Sequence, residues 1–327
     1  MWMRHYEAPC EPPPWVVGGH GQTLWGHLLP SRAPRISGGR GYAPREIQLD
    51  DGERLLAHTS EGRSGVCVYL FHGLSGDADS DYIRRTAAAL RARGHGVWAV
   101  NHRGCGAGAG LAWRPYHSGS YFDLAAVVRD GRRMAPDLTH VIVGFSLSGN
   151  AGLLLAAKEE AGRPDALVSI NPPIDLATSS RLIHTGLSRL YERRFLWRLR
   201  RAIHRRVRDG KTKHAYHIPF LASLCELDDL FTAPEAGFED GADYYQRCSS
   251  QAHLKHVHIP TVIITAADDP FVHPEAFERV EISNLVHLHL EPHGGHVGYL
   301  AQKGLGWQRW LDGAIVHYVN ELTGSIG

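Results

Sequence analysis

The stretch from His140 to Gly152, HVIVGFSLSGNAG, constrains this chain most. Val141, Ile142 and Val143 form a short apolar run without polar alternation, which predicts a strand buried on both faces. Gly144-Phe145-Ser146-Leu147-Ser148-Gly149 predicts a sharp turn, and the Ala/Leu-rich run from Asn150 to Ala157 predicts a helix. A turn of this kind holds a serine hydroxyl clear of the sheet. The helix behind it offers free backbone N–H groups and the positive end of its dipole to a developing oxyanion. The letters are G-x-S-x-S-G, with Ser148 where a strained elbow of the G-x-S-x-G type carries its second glycine. That position is crowded between helix and strand. An ordinary turn with a surface serine would read the same way, so the surrounding elements have to decide.

Those elements repeat the alternation. Val66 to Phe71, Val97 to Val100, Ala166 to Ile170 and Thr261 to Thr265 are further apolar runs. Asp81 to Arg93 predicts a helix, with Ile83, Ala87 and Leu90 on one face and Gly94 as its stop. Phe122 to Met134 predicts another, and Trp307 to Leu322 a closing one. Arg45 to Leu49 and Arg54 to Thr59 flank Asp50-Asp51-Gly52, a hairpin signal. Val286 to Leu290 alternates, with His287 and His289 on one face and Val286, Leu288 and Leu290 on the other. Buried strands alternating with helices predict an α/β fold with a mostly parallel central sheet and helices on both faces.

The pattern breaks in two places. Residues 1–41 are rich in Pro, Gly and aromatic side chains and predict an irregular N-terminal arm that packs its tryptophans on the domain. His20 and Gln22 carry no clear motif there. Residues 174–258 lack a buried-strand signal and predict a helical cap inserted into a core formed by 42–173 and 259–327. Within the cap, residues 193–213 hold ten Arg and Lys and one acid, Asp209, with Phe195, Leu199, Ala202 and Ile203 on one helical face. A charge run of this kind usually marks a solvated helix whose apolar face rests on the core, and a weak membrane-surface contact is the alternative.

Composition excludes several functions. A net charge of +1 gives no case for nucleic acid. Cys10, Cys67, Cys105, Cys225 and Cys248 form neither a CxxC pair nor a metal spacing, which predicts a reducing, cytoplasmic setting and no metal. The first residues lack the apolar core of a signal peptide. His253, His256 and His258 lack a nearby carboxylate or thiolate, a weak ligand set. Gly104 to Gly110 does not give G-x-G-x-x-G opening a helix, so no nucleotide cofactor is predicted.

Three features converge. Ser146 sits on its strand-turn-helix. A carboxylate, Asp268 or Asp269, follows the 261–265 strand in a DDP turn, and a histidine, His293 or His296, follows the last strand in a Gly-rich loop. All fall at C-terminal ends of predicted parallel strands, where open α/β sheets place their sites. A serine hydroxyl is a poor nucleophile until a base takes its proton. Histidine can take that proton and return it, and a carboxylate fixes the imidazole tautomer. The Gly294-Gly295 pair gives His296 the freer approach. Oxyanion donors are expected from the N–H of Leu147 and, after the 66–71 strand, the N–H of Leu74.

The chain resembles the α/β-hydrolases, and within them the YheT-like branch, which includes mammalian membrane-anchored relatives and yeast ester-forming acyltransferases. The resemblance rests on Gly19-His20-Gly21-Gln22-Thr23, His72-Gly73-Leu74, Asn101-His102-Arg103-Gly104-Cys105, Tyr116-His117-Ser118-Gly119 with Asp123, Gly144-Phe145-Ser146-Leu147 with Gly149-Asn150, Asp268-Asp269-Pro270 and Gly295-His296. It departs from the family at Ser148. It implies a Ser146-Asp269-His296 triad, because the acid in such hydrolases directly precedes the proline, with Asp268 left to cap the turn. It also implies a small-molecule carboxylic ester as substrate, of short- to medium-chain acyl or aryl type, and no cofactor. Acyl transfer through the same intermediate, or ligand binding without catalysis, are the alternatives. A serine at the elbow excludes the Asp-nucleophile chemistry that dehalogenases and epoxide hydrolases run on this fold.

Overall fold

A computed structural model describes residues 3–158 and 161–324; the outermost residues of the predicted arm and closing core segment, 1–2 and 325–327, lie outside it. An eight-stranded sheet runs through the molecule in the order β1-β2-β4-β3-β5-β6-β7-β8. Strands β1 (Ala43–Gln48) and β2 (Arg54–Ser60) form the hairpin, and β2 joins β4 (Gly96–Asn101) antiparallel. From β4 onward every pairing is parallel, through β3 (Val66–Phe71), β5 (Thr139–Phe145), β6 (Ala166–Ile170), β7 (Thr261–Ala266) and β8 (Val286–Glu291).

The apolar runs are continuous because both faces of the sheet are covered. Val66, Val68 and Leu70 of β3 pack against α2 (Asp81–Ala92) and the closing helix Trp310–Thr323. Cys67, Tyr69 and Phe71, one residue out of phase, pack against α3 (Tyr121–Met134) and α4 (Leu147–Ala157). Helix α4 is buried along its whole length, which suits its run of Leu, Ala and Gly. At about 25 cal/mol per Å2 of apolar surface removed from water, these two cores dominate stability.

Two expectations need correction. The arm is not wholly irregular. Gly18–Leu28 forms a helix, α1, which lies on the loops that follow β7 and β8. At the surface Trp15 of the arm packs edge to face on Trp25 and on Trp307 of the core segment. The closing helix begins at Trp310, not Trp307, because β9 (Leu300–Lys303) and β10 (Gly306–Arg309) pair as a hairpin around Gly304, whose φ of +56° makes the turn. In β8 His289 is buried and His287 half-buried, while Val286 and Leu288 on the other face are half-buried against the second core. His289 is enclosed by Trp310 and Tyr318, while Leu290 points to solvent at the edge of the sheet.

Between β6 and β7 the chain leaves the sheet. Helices α5 (Leu176–Ile183) and α6 (Ser188–Arg208) and shorter turns follow, with one further helix at Gly241–Cys248. The inner face of α6 is shared between two partners, with Tyr191 and Phe195 packed against the second core. Leu196 and Ile203 pack on Leu227 and Phe231 of the same insertion.

Candidate active site

The turn after β5 is strained at one residue. Ser146 has φ +54° and ψ −117°, a region that side chains rarely occupy and that persists only when its surroundings hold it. They do. Its N–H donates to the Ile170 carbonyl of β6 at 2.7 Å, and its carbonyl accepts from Asn150 in the first turn of α4 at 3.1 Å. Gly73 faces the serine so closely that an added Cβ would lie 3.2 Å from the Ser146 Cβ.

Ser146 Oγ lies 2.8 Å from His296 Nε2, and His296 Nδ1 lies 2.8 Å from Asp269 Oδ2. A carboxylate only accepts, so Nδ1 carries the proton and Nε2 is free to accept the Ser146 hydroxyl. Asp269 is buried and its other contacts fix it. Oδ2 also accepts from Asn171 Nδ2 at 2.7 Å, and Oδ1 accepts the backbone N–H groups of Phe271 and Val272. The turn cap expected of Asp268 is therefore made by Asp269. Asp268 instead accepts the N–H groups of Gly294 and Gly295, at 2.9 and 2.8 Å, and so holds the histidine loop. His293 is exposed, with Nδ1 3.6 Å from Asp268.

Two supports for His296 come from residues the sequence left without a role. Thr23 of α1 accepts the His296 N–H at 2.9 Å while donating to the Gly19 carbonyl. Asn171, at φ +44°, accepts from the Val297 N–H and donates to both Asp269 and the Gly295 carbonyl. Gln22 clamps both backbone groups of Leu300. His20 lies away from this cluster, stacked on Tyr191 of the insertion. The signals were the Gly19–Thr23 segment and the Asn that ends β6.

Ser148 fits without displacing α4. It is fully buried, and its hydroxyl donates to the His72 carbonyl at 2.5 Å. That proton is thereby used, so at 2.6 Å the same oxygen accepts from His102 Nε2. His72 in turn donates from Nδ1 to the Gly73 carbonyl and accepts the His102 N–H at Nε2. Ser148 thus pins the segment that leads into Leu74. Burial holds the His72 imidazole down at about 4 and pushes His102 well below its ordinary range, so both stay neutral.

Leu74 and Leu147 line one cavity of about 330 Å3 together with Ser146 and His296. The Leu147 N–H opens α4, where no intrahelical acceptor exists. Phe195, Leu199, Ile203 and Phe231 of the insertion line the same cavity, and apolar surface dominates it. Asn150 joins core to insertion, donating to the Cys248 carbonyl at 2.7 Å and accepting from the Ser250 N–H. Buried Arg103 makes a two-pronged ion pair with Asp123 and reaches Asp51 and Glu53.

Among the described residues, His5, His287 and His289 form the one group whose ligand atoms converge, within 4.8 Å of one another; His253, His256 and His258 do not. Both His289 nitrogens are already engaged, by Tyr318 and Glu291. This group lies at the sheet edge and shares no residue with the Ser146 cavity.

Ser146 on a strained elbow, backed by His296 and Asp269 at the ends of parallel strands, has the arrangement expected of an α/β hydrolase. The model of the alpha/beta hydrolase fold family matches residues 66–301, and the chain belongs to that family. It is 34% identical over 280 residues to the putative esterase YheT of Escherichia coli, covering 83% of this chain and 82% of that one. It is 26% identical over 283 residues to a monoacylglycerol lipase of Saccharomyces cerevisiae, covering 82% and 60%. Among solved structures, the Pyrococcus furiosus esterase Pf2001 superposes with a TM-score of 0.57 at 15% identity, over 86% of this chain and 93% of that one, a likeness of fold. Among the described residues no helix is long and apolar enough to cross a membrane.

Proposed function

We propose that this chain hydrolyses carboxylic esters, of short- to medium-chain acyl or aryl type, through an acyl-enzyme on Ser146. The observation that carries the reading is the unbroken relay from Ser146 Oγ through His296 to Asp269, opening on an apolar cavity. In the first step His296 Nε2 takes the Ser146 proton as Oγ adds to the ester carbonyl. The N–H groups of Leu74 and Leu147 receive the oxyanion. His296 then gives its proton to the departing alcohol. Asp269 keeps the imidazole oriented and stabilises its cation. Water repeats the sequence on the acyl-enzyme and frees the acid. Residues 174–258 act as the cap that shapes the acyl side of the pocket. The resemblance to YheT and to the yeast lipase supports ester chemistry.

The test is hydrolysis of a p-nitrophenyl ester series. Ser146→Ala is expected to lose at least about 10,000-fold in kcat with the fold intact by circular dichroism. Retained turnover in that variant would reject the assignment.

A further inference from the structure

Helix α6 carries two apolar stripes on opposite sides. Leu196 and Ile203 are turned inward. Leu187, just before the helix, then Leu190 and Trp197 follow a spacing of three and seven residues and so share the outer face. They are 63%, 63% and 56% exposed. Beside them Phe220 and Leu221 are 86% and 82% exposed. Arg200 ties this loop to α6, donating to the Pro219 carbonyl and lying 5.6 Å over the Phe220 ring. Arg201 lies 4.7 Å over the Trp197 ring. Single exposed apolar residues are ordinary on a protein surface; a helical stripe with an adjoining Phe-Leu loop marks an interaction site.

The charge on this surface is as uneven as its apolarity. The nearest acid on α6, Glu192, is buried and held by His184 and the Leu224 N–H. Residues 193–213 hold ten cations and one acid; Arg198, Arg206, Lys211 and Lys213 turn to backbone carbonyls of the core and the insertion, while Arg193, Arg201 and Arg205 are exposed and Arg200 half-buried. Arginines interleaved with Trp, Phe and Leu on an exposed helix are the composition of an interfacial helix, with the cations set for phosphate groups and the apolar tips for the acyl boundary. Arg194 and Arg198 of the same helix line the cavity that holds Ser146.

We propose that this face of the cap docks on an anionic lipid surface, with Leu190, Trp197, Phe220 and Leu221 entering the headgroup boundary. Resting on the ester-hydrolase reading, it places the substrate among acyl esters drawn from that surface into the cavity.

The experiment is co-sedimentation of the intact chain, as its Ser146→Ala variant, with vesicles of phosphatidylcholine alone and of phosphatidylcholine mixed with phosphatidylglycerol. Binding is expected to the anionic vesicles and to fall at least about tenfold between low salt and about 0.5 M salt, where the screening length is a few ångströms. Trp197→Ser with Phe220→Ser, and separately Arg200→Gln with Arg201→Gln, are expected to weaken it about tenfold or more. In the otherwise native chain these pairs leave hydrolysis of a soluble p-nitrophenyl ester unchanged. Equal or absent binding to the two vesicle types overturns the proposal, as does binding that neither pair weakens. A dimer that the same substitutions dissolve, without vesicle binding, assigns the face to a second copy and also overturns it. Binding is read without turnover, so loss of the ester-hydrolase reading would show in the hydrolysis assay alone.

Discussion

The loops that hold Ser146, Asp269 and His296 and the helix that covers them are built on opposite terms. In the core each reacting side chain is fixed by several partners drawn from separate elements: β6 for the serine, Asn171 and the Phe271 and Val272 amides for the acid, α1 through Thr23 for the histidine. The cap lines the cavity with the apolar side chains of Phe195, Leu199 and Ile203, and directed bonds such as those of Tyr244 to the Ser118 N–H and Arg206 to the Arg103 carbonyl tie it to the core. Directed bonds fix angles, and apolar walls fix only volume. On the proposed function, the chemistry is therefore set by the core, and the identity of the ester by the cap.

The sharpest way to break this division is the pair of neighbouring acids. Asp269→Asn is expected to cost about 10,000-fold in kcat, because the amide favours the wrong imidazole tautomer. Asp268→Asn, which loses only a loop anchor, is expected to cost about tenfold. Equal losses would contradict the geometry. Next is the cap. Leu199→Trp fills the acyl side and is expected to lower kcat/KM for an octanoate ester at least about tenfold while leaving acetate within about twofold, a discrimination worth about 1.4 kcal/mol. An equal loss on both esters would place the cap in the chemistry. Thr23→Ala removes the acceptor of the His296 N–H. It is expected to lower kcat about five- to tenfold, in line with about 1 kcal/mol for one hydrogen bond, with KM unchanged and recovery in Thr23→Ser.

The core also predicts its own response to acid. His72 and His117 are held at about 4 by burial, and His102 well below its ordinary range. All three stay neutral while folded, whereas the unfolded chain binds protons below about 6.5. Their contribution is full above that pH and is lost as pH falls from about 6.5 towards 4, by as many as three protons. Urea unfolding at pH 7.5 and pH 5 is expected to show a lower midpoint at pH 5. An unchanged midpoint would contradict it.

What the sequence made legible follows the same division. The strands were readable because a sheet covered on both faces leaves unbroken apolar runs, and their ends located Ser146, Asp269 and His296. The role of Asp268 was not readable, since two adjacent acids differ only in where their oxygens point. Thr23 and Gln22 act on residues more than 270 positions away. No local pattern encodes such a contact, although the glycines of α1, one of which could not bear a Cβ beside the Asp268 carbonyl, mark close packing. The β9–β10 hairpin was hidden because Trp307 and Gln308 suit either a strand or a helix start. Ser148 read as a defect of the elbow because the His72 carbonyl that receives it belongs to another strand end.

The most direct test of the central claim is to quench the enzyme during turnover of a p-nitrophenyl ester and weigh it. A mass increase of one acyl group, mapped to the peptide containing Ser146 and absent from Ser146→Ala, is the predicted result. Continued turnover with no adduct at Ser146, or an adduct at another residue that survives Ser146→Ala, would contradict it.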